Sequence, residues 1–351
     1  MTETKIAYGW NPDMPLSLQM KLKEDLNLEE LADSMMAPHR VSSLAAFRPA
    51  LKTTARALAL LALLLWVAGA AAPMAGHAQA LPGSSKTCLW ELAADGGTVF
   101  LLGSIHFMRA DDYPLPPAMD EAYAACRAVV FETDIGLMQD PRVQARMLEL
   151  GMLPAGRSVF DTIGPETRRR LEAKLAETGL PGAVVAGFRP WMIALTLSAL
   201  EFQRLGFDPN LGVDMHFFNK ASADRKRIAA LETVEFQLQL LAGMNAAAEE
   251  AFLALTLQDL AQVPEVASAM VGLWRSGDAP GLQQLLFKTI DRHPDVRDRM
   301  LAQRNRAWAG KIADLIRQGE PALVIVGAMH LIGPGSVVEL LQARGYRVEQ
   351  R

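Results

Sequence analysis

Two short segments of the chain place a histidine three residues after a glycine that closes an apolar run. The first pairs Gly103 with His106, and the second pairs Gly327 with His330 at the same spacing. A glycine directly after a buried strand permits a sharp turn, so the side chain three positions later can point back across the strand end. Only four histidines follow residue 80, and two of them stand in these matched positions. The two segments therefore predict one shared site.

A third apolar run, residues 129–131, ends directly on the carboxylate of Glu132. In parallel α/β sheets ligands bind at the carboxyl ends of the strands, so we expect these three strand ends at one edge. Two imidazoles and one carboxylate suit a divalent metal such as Zn²⁺, Mn²⁺ or Fe²⁺. With an open coordination position, such an ion lowers the pKa of bound water to about 7. This reasoning predicts His106, Glu132 and His330 as the catalytic and metal-binding residues of a hydrolytic site.

The residue types leave the role of Glu132 open, since it can be a third metal ligand or the base that accepts a proton from water. Asp134 lies two residues further on, and Glu232 ends another short strand candidate, residues 227–232. Both are predicted to orient the metal ligands through hydrogen bonds without binding the metal themselves. The alternative is architectural: the two glycine–histidine motifs then only shape the strand ends.

The elements around these residues predict a mixed, mainly parallel α/β sheet built from two βαβ units. The N-terminal unit combines strand 98–102, helix 118–126 and strand 129–132, and the C-terminal unit combines strand 322–326, helix 335–344 and strand 346–348. A right-handed crossover would place the strand ends of each unit on one edge. Between the units, residues 141–318 are mostly helical in pattern and predict a large helical insertion.

The N-terminal 80 residues are predicted to lie outside the folded domain, which would span residues 81–351. Residues 37–80 contain no acidic residue, and basic positions precede an apolar run at 57–72. The small residues Ala78 and Ala80 then predict a signal peptide over 35–80 with cleavage after Ala80. Residues 1–34 are acidic, which is unusual in front of a signal peptide, so the charge reversal at residue 35 predicts that they are a non-native extension. The alternative is an uncleaved membrane anchor. Both alternatives predict a periplasmic domain. Only an uncleaved anchor would attach this domain to the membrane.

Cys88 and Cys126 are the two cysteines of the chain. Outside the cytoplasm a disulfide can persist, so the sequence allows either a structural bridge between them or two free thiols. Neither has a histidine near it in sequence, which argues against a catalytic cysteine.

The composition and the motifs that are missing narrow the functional class. Half of the 351 residues are apolar and 21% are charged, which excludes a disordered chain. The net charge of −4 has no basic block behind it, so nucleic acid is not a predicted partner. Serine-hydrolase, zincin and nucleotide-binding motifs do not occur in the chain.

Six segments together resemble the TraB/GumN family, whose animal relatives include the Tiki proteases. The resemblance spans about the whole predicted mature chain, and the segments that carry it are residues 101–106, 113–116, 131–134, 190–191, 231–233 and 326–331. It implies a metal-dependent hydrolase, a peptidase in the Tiki branch, with His106, Glu132 and His330 at the metal site. The predicted cofactor is thus a divalent metal, with manganese, cobalt and zinc as candidates, and the predicted partner is a peptide or another envelope substrate. The alternative function is a non-catalytic envelope protein linked to polysaccharide or peptide-signal handling.

Overall fold

The apolar runs of the sequence form the strands of one central sheet. The computed structural model describes residues 86–94, 97–291 and 293–351, so the predicted extension at 1–34 and the predicted signal peptide at 35–80 lie outside the described residues. The strands are β1 (Leu89–Ala94), β2 (Gly97–Ser104), β3 (Ala128–Phe131), β4 (Arg227–Ala230), β5 (Ala322–Gly327) and β6 (Arg347–Gln350).

The sheet is six-stranded, with the order β4-β3-β5-β2-β1-β6. Strands β4, β3, β5 and β2 run parallel, while β1 is antiparallel to both β2 and β6. The predicted fold class, a mixed and mainly parallel α/β sheet, is therefore confirmed.

The two βαβ units interleave in this sheet. Strand β5 of the C-terminal unit lies between β2 and β3 of the N-terminal unit, so it is hydrogen-bonded to both. In this register Ser104 stands opposite Gly327, and Phe131 stands opposite Ile325. The ends of β2, β3 and β5 therefore reach the same edge of the sheet, because parallel strands in register finish together.

Strand β4 extends this edge by one more strand. The sequence predicts a short strand at residues 227–232, within the helical insertion, and in the structure β4 covers Arg227–Ala230 and pairs in parallel with β3. The backbone N–H of Glu232 donates to the carbonyl of Glu132 at 2.8 Å. The two glutamates consequently follow neighbouring strands at matching positions.

Helices cover the sheet, and most of them belong to the chain segment that connects the end of β3 to the start of β5. The α-helices in the described residues are α1 (Pro117–Ala125), α2 (Pro141–Gly151), α3 (Pro165–Thr178), α4 (Gly182–Val185), α5 (Pro190–Arg204), α6 (Val213–Ala223), α7 (Val234–Ala242), α8 (Ala246–Asp259), α9 (Val263–Arg275), α10 (Ala279–Ile290), α11 (Pro294–Arg297), α12 (Gln303–Gln318) and α13 (Val337–Gln342). A π-helical turn, Asp298–Ala302, joins α11 to α12. Helix α5 buries an almost continuous apolar surface.

Membrane-spanning length is a separate property of these helices. Across the part of the chain that the structure describes, no single helix combines the length and apolarity of a membrane span. One pair, Val234–Ala242 with Ala246–Arg275, satisfies those limits only when taken together across a 92° bend.

Cys88 and Cys126 are both buried and free, so the structure contains no bridge between them. Burial raises the pKa of both thiols, that of Cys126 to about 12. Cys88 packs against β2, because a Cβ atom on Gly103 would lie 2.7 Å from its Sγ. Cys126 instead caps the end of α1. Of the two alternatives, the structure has free thiols that serve as small apolar side chains.

Gly103→Ala is expected to lower the free energy of unfolding by about 1–3 kcal/mol, since the added methyl meets Cys88 Sγ at 2.7 Å and the Ala328 Cα at 3.2 Å. Urea unfolding of the single variant, of Cys88→Ala and of the double variant measures the coupling between the two positions. The double variant should lose less stability than the two single losses added together. Additive losses would contradict the predicted contact.

Candidate active site

His106 follows β2 and has different neighbours at its two ring nitrogens. Its Nδ1 lies 3.1 Å from Oδ1 of Asp214 and 3.3 Å from the Ser104 hydroxyl. Asp214 reaches it because α6 begins beside the strand end, where the Val213 N–H donates to the Ile105 carbonyl at 2.9 Å. The carboxylate favours the tautomer with its proton on Nδ1, which leaves the Nε2 lone pair free.

Glu132 follows β3, and its side chain is buried with a defined partner at each oxygen. Oε1 accepts the backbone N–H of Gly327 at 2.7 Å, and Oε2 accepts Nη2 of Arg304 at 2.6 Å. Gln237 Nε2 lies 3.4 Å from the same Oε2. Glu132 is thus held from β5, α12 and α7, and its Oε1 faces the end of β5.

His330 ends the short 3₁₀ helix after β5 and is 4% exposed. Its Nδ1 donates to Oδ1 of Asn305 at 2.6 Å, so its Nε2 carries the lone pair. That lone pair accepts Nη1 of Arg304 at 3.1 Å. The ring also packs on Trp308, with 4.4 Å between the ring centroids.

Arg304 is the cation at the centre of this cluster. Besides Glu132 and His330, its guanidinium donates to both oxygens of Glu232 at 2.9 to 3.1 Å and stacks on Trp308 at 4.5 Å. Glu232 also accepts Trp308 Nε1 at 2.9 Å and Gln237 Nε2 at 3.0 Å. One buried arginine therefore neutralises part of the charge of two buried glutamates.

The three predicted strand-end residues converge on the open side of Gly327. A Cβ atom at this glycine would lie 3.2 Å from His106 Nε2, 3.3 Å from Glu132 Oε1 and 3.7 Å from His330 Cδ2. The absence of a side chain at 327 therefore leaves a small space that all three groups face. In contrast, the two glycine–histidine motifs present their rings differently, since Nε2 of His106 faces this space and Nε2 of His330 faces Arg304.

The charges around the two histidines shift their pKa values in opposite directions. Burial lowers the pKa of His106, but Asp214 and Glu132 attract its protonated form more strongly, and the pKa is raised. Burial and the Arg304 charge lower the pKa of His330 to about 3, so this ring stays neutral. Burial opposes ionisation of Glu132, but the attraction of Arg304, then of His330 and His106, lowers its pKa to about 2. The site thus holds the ionised carboxylate of Glu132 beside two different imidazoles. The surroundings of His106 favour its protonated form, and those of His330 favour its neutral form.

The two residues predicted to support the site lie in different surroundings. Glu232 joins the cluster through Arg304, Gln237 and Trp308. Asp134 is exposed, and its Oδ1 accepts the N–H groups of Gly136 and Leu137 at 3.0 and 3.4 Å. It therefore caps the 3₁₀ helix Ile135–Gln139 instead of supporting Glu132, because that helix start offers unpaired N–H donors.

Sequence reasoning missed Asp214, Arg304 and Asn305. A signal existed for the last two, because they share a helical face with Leu301 of the π-helical turn and Trp308 of α12, and an arginine in an apolar stripe is unusual. Asp214 carried no such signal, since an acidic residue in the first turn of a helix is common.

The predicted metal ligands do not fit a shared ion in this arrangement. Two possible metal-binding atoms, His106 Nε2 and Glu132 Oε1, face the Gly327 space. The lone pair of His330 Nε2 and the other oxygen of Glu132, Oε2, both accept hydrogen bonds from Arg304 instead. Among the residues that the structure describes, no group of three His, Cys, Asp or Glu side chains is placed to hold a metal. The guanidinium stands where a metal cation would have to bind the predicted set.

The family profile of the TraB/PrgY/gumN family matches residues 88–350. This match covers almost all of the chain that the structure describes. The chain belongs to this family. The resemblance seen in the six sequence segments is thereby confirmed. The family match covers the strands, the helices between them and every side chain of the cluster around Gly327.

Individual relatives of this TraB/PrgY/gumN member are distant. "Uncharacterized protein YbaP" of Escherichia coli (strain K12) is 26% identical over 247 residues, which cover 69% of this chain and 87% of YbaP. "Metalloprotease TIKI homolog" of Nematostella vectensis is 21% identical over 308 residues, 71% of this chain and 64% of the relative. "Metalloprotease TIKI1" of Xenopus tropicalis is 22% identical, covering 74% and 60%. The chain thus spans less than two thirds of these TIKI proteins, and no solved structure matches it.

His330→Gln is expected to reduce the loss of stability in mild acid. The pKa of His330 is about 3 in the folded protein and 6.5 ordinarily, so as the pH falls below 6.5 only the unfolded state takes up this proton. Stability from this group is present above pH 6.5 and is lost toward pH 3. Between pH 7 and 5, denaturant unfolding should show the wild type losing about 2 kcal/mol more than the variant. Equal losses in the two proteins would contradict the prediction.

Proposed function

We propose that this protein is a hydrolase that cleaves peptides in the cell envelope, with its active site in the cluster around Gly327. The observation that carries the proposal is the convergence of His106 Nε2 and Glu132 Oε1 within 3.3 Å of one point, with the His330 ring beside them. The family assignment and the metalloprotease names of the distant TIKI relatives support it.

The residues of the cluster suit the proton transfers of peptide hydrolysis. His106, with Asp214 behind Nδ1, can hold a proton on Nε2 and donate it to the leaving amine. Glu132 stays ionised and directs Oε1 into the same space, where it can orient a water molecule. Its two roles, ligand or base, both need this ionised state. The main-chain N–H of Gly327 and the guanidinium of Arg304 keep the carboxylate in place.

We further propose that activity depends on a divalent metal, with manganese, cobalt and zinc as candidates. The donor types of His106, Glu132 and His330 support this, as do the names of the TIKI relatives. In the arrangement described, Arg304 would have to leave His330 and Glu132 first.

We also propose a periplasmic location. Its support is the basic, then apolar, then small-residue pattern of residues 35–80.

Glu132→Gln tests the proposed function because it removes the charge and keeps the shape of the side chain. Cleavage of a peptide library by the purified protein, with Mn²⁺, Co²⁺ or Zn²⁺ added in turn, should fall about 100-fold or more while the circular dichroism spectrum is retained. Glu121→Gln, on the exposed surface of α1, is the matched control and should keep full activity.

Two results would contradict the proposal. The first is a wild-type protein that cleaves no peptide with any of these metals. The second is an unchanged cellular phenotype for Glu132→Gln, which would favour the envelope binding or accessory protein. Arg304 already neutralises part of the buried acidic charge, and that arrangement would also suit a pocket without a reaction.

Gly327→Ala should abolish activity with little effect on folding outside the cluster. The new methyl would fill the space between His106 Nε2 and Glu132 Oε1, at 3.2 and 3.3 Å from them. Gly272→Ala in α9 is the control, since its methyl meets no atom within 4 Å and alanine favours a helix. Peptide-cleavage rates and thermal melting of both variants check this. Retained activity in Gly327→Ala would show that chemistry does not take place in this space.

A further inference from the structure

We infer that a cavity beside His106 selects one side chain of the substrate peptide, and that it takes an uncharged aromatic side chain. The cavity, called the Tyr113 pocket, has a volume of about 340 Å³, which is within the size range of small-ligand sites. It is lined by Ala110, Tyr113, Asn210, Leu211, His216 and Asn219. The inference rests on the peptidase activity proposed above and names the substrate class of the same site.

The Tyr113 pocket is formed by the two chain segments that carry His106 and Asp214. One segment follows His106, and the other leads to Asp214, whose Oδ1 lies 3.1 Å from His106 Nδ1. The segments pair where the Asp208 N–H donates to the Met108 carbonyl at 2.9 Å. Ala110 stands four residues after His106, and four residues of fully extended chain span at most about 14 Å. An extended peptide advances about 3.3 Å per residue, so a side chain within about four positions of the cleaved bond can reach the pocket.

Tyr113 is held in place by bonds from two directions. Its phenolic O–H donates to the Leu211 carbonyl at 2.7 Å. The backbone on both sides of it is held by Arg275, whose Nη1 donates to the Asp112 carbonyl at 2.5 Å and to the Pro114 carbonyl at 3.0 Å. The ring is therefore ordered without a ligand, and binding to an ordered wall costs less conformational entropy.

Two uncharged aromatic rings form the wall of the pocket. The centroids of the Tyr113 and His216 rings lie 5.5 Å apart, with 50° between the ring planes. Burial lowers the pKa of His216, so its imidazole is neutral at pH 7. Burial, then the charges of Asp214 and Asp112, raise the pKa of Tyr113 to about 12, so its hydroxyl keeps its proton. Neutral aromatic rings attract a further ring in a tilted or offset arrangement, so this wall favours an aromatic side chain.

Charged side chains of a substrate gain little in this pocket. Among the residues that the structure describes, none of those that line the pocket is charged at neutral pH. The charged groups that act on His216 are Asp120 and Lys220, and they form an ion pair with each other. A charged substrate side chain would therefore leave water without gaining a counter-ion, which is unfavourable. An uncharged aromatic side chain does not carry this penalty.

Two asparagine side chains at the mouth of the pocket suit the main chain of a peptide. Asn210 and Asn219 are both exposed. Asn210 donates Nδ2 to Asp208 Oδ1 at 2.8 Å, so its own Oδ1 remains as an acceptor. The side-chain amide of Asn219 has no hydrogen-bond partner within the described part of the chain, so it offers donors and an acceptor. A peptide unit presents one N–H and one C=O, which these amides can bind while the side chain enters the pocket.

Cleavage of a peptide series measures the selection. In otherwise identical peptides, phenylalanine, alanine, lysine and glutamate are placed in turn at each position up to about four residues from the cleaved bond. At one position phenylalanine should raise kcat/KM about tenfold over alanine, whereas lysine and glutamate should not raise it. Ala110→Trp should reduce this ratio to about one, because the new indole would occupy the pocket. Ala124→Trp, on the exposed surface of α1, is the matched control and should keep the ratio.

Nuclear magnetic resonance of protein with labelled histidines gives a readout that does not need cleavage. N-acetyl-phenylalaninamide should bind the wild type with a Kd of about 1–10 mM and shift the imidazole signals of His216, because the bound ring lies against that imidazole. N-acetyl-lysinamide should leave these signals in place. His216→Leu identifies the signals by their loss. In the peptide series this variant should also reduce the phenylalanine preference about threefold, since it removes one ring of the wall.

A phenylalanine preference that is unchanged in Ala110→Trp would overturn the inference. If that variant does not fold, His216→Leu decides, and an unchanged preference there overturns it. Absence of a His216 shift with N-acetyl-phenylalaninamide would overturn it as well, and so would tighter binding of maltose, which would indicate a site for sugar rings. A His216 shift in a wild type that cleaves no peptide would confirm the aromatic ligand and contradict the proposed peptidase, so the two failures are distinguishable.

Discussion

The ion pairs of Arg304 with Glu132 and Glu232 are the interaction on which the rest of the site depends. The two glutamates follow neighbouring parallel strands, and the sheet brings their buried carboxylates together. Two like charges that are buried away from water repel each other, so this arrangement is unfavourable unless a cation lies between them. Helix α12 supplies that cation from the opposite side, together with Asn305 and Trp308. The position of this helix therefore decides how Glu132 and His330 are oriented.

The same short motif produces two different histidines in this setting. His106 has a carboxylate behind Nδ1, whereas His330 has an amide behind Nδ1 and a guanidinium before Nε2. The first environment favours the imidazolium and the second excludes it, so the pKa values move apart. Pairs of titratable groups separated in this way are typical of acid–base sites. The difference arises from the elements packed on each strand end, α6 for His106 and α12 for His330.

The sheet order explains why residues so distant in the chain can act together. Strand β5 lies between β2 and β3, so Gly327 stands beside Ser104 and near the end of β3. Its N–H can then bind Glu132, and its missing side chain opens the space in front of His106. A simple side-by-side arrangement of two βαβ units would have separated these ends. Interleaving is thus the topological feature that assembles the cluster.

The sequence by itself determined the strand ends, the mixed α/β class and the family resemblance. It also determined the choice of His106, Glu132 and His330 as candidate site residues. These are local properties, since a glycine after an apolar run or a carboxylate at a strand end can be read within ten residues. The tertiary structure alone decided their partners. Asp214 and Arg304 come from helices about 100 and 170 residues away from His106 and Glu132, and Asp134, which is close in sequence, faces a helix cap. Burial and charge pairing between distant segments have no local pattern, because they depend on how the elements pack.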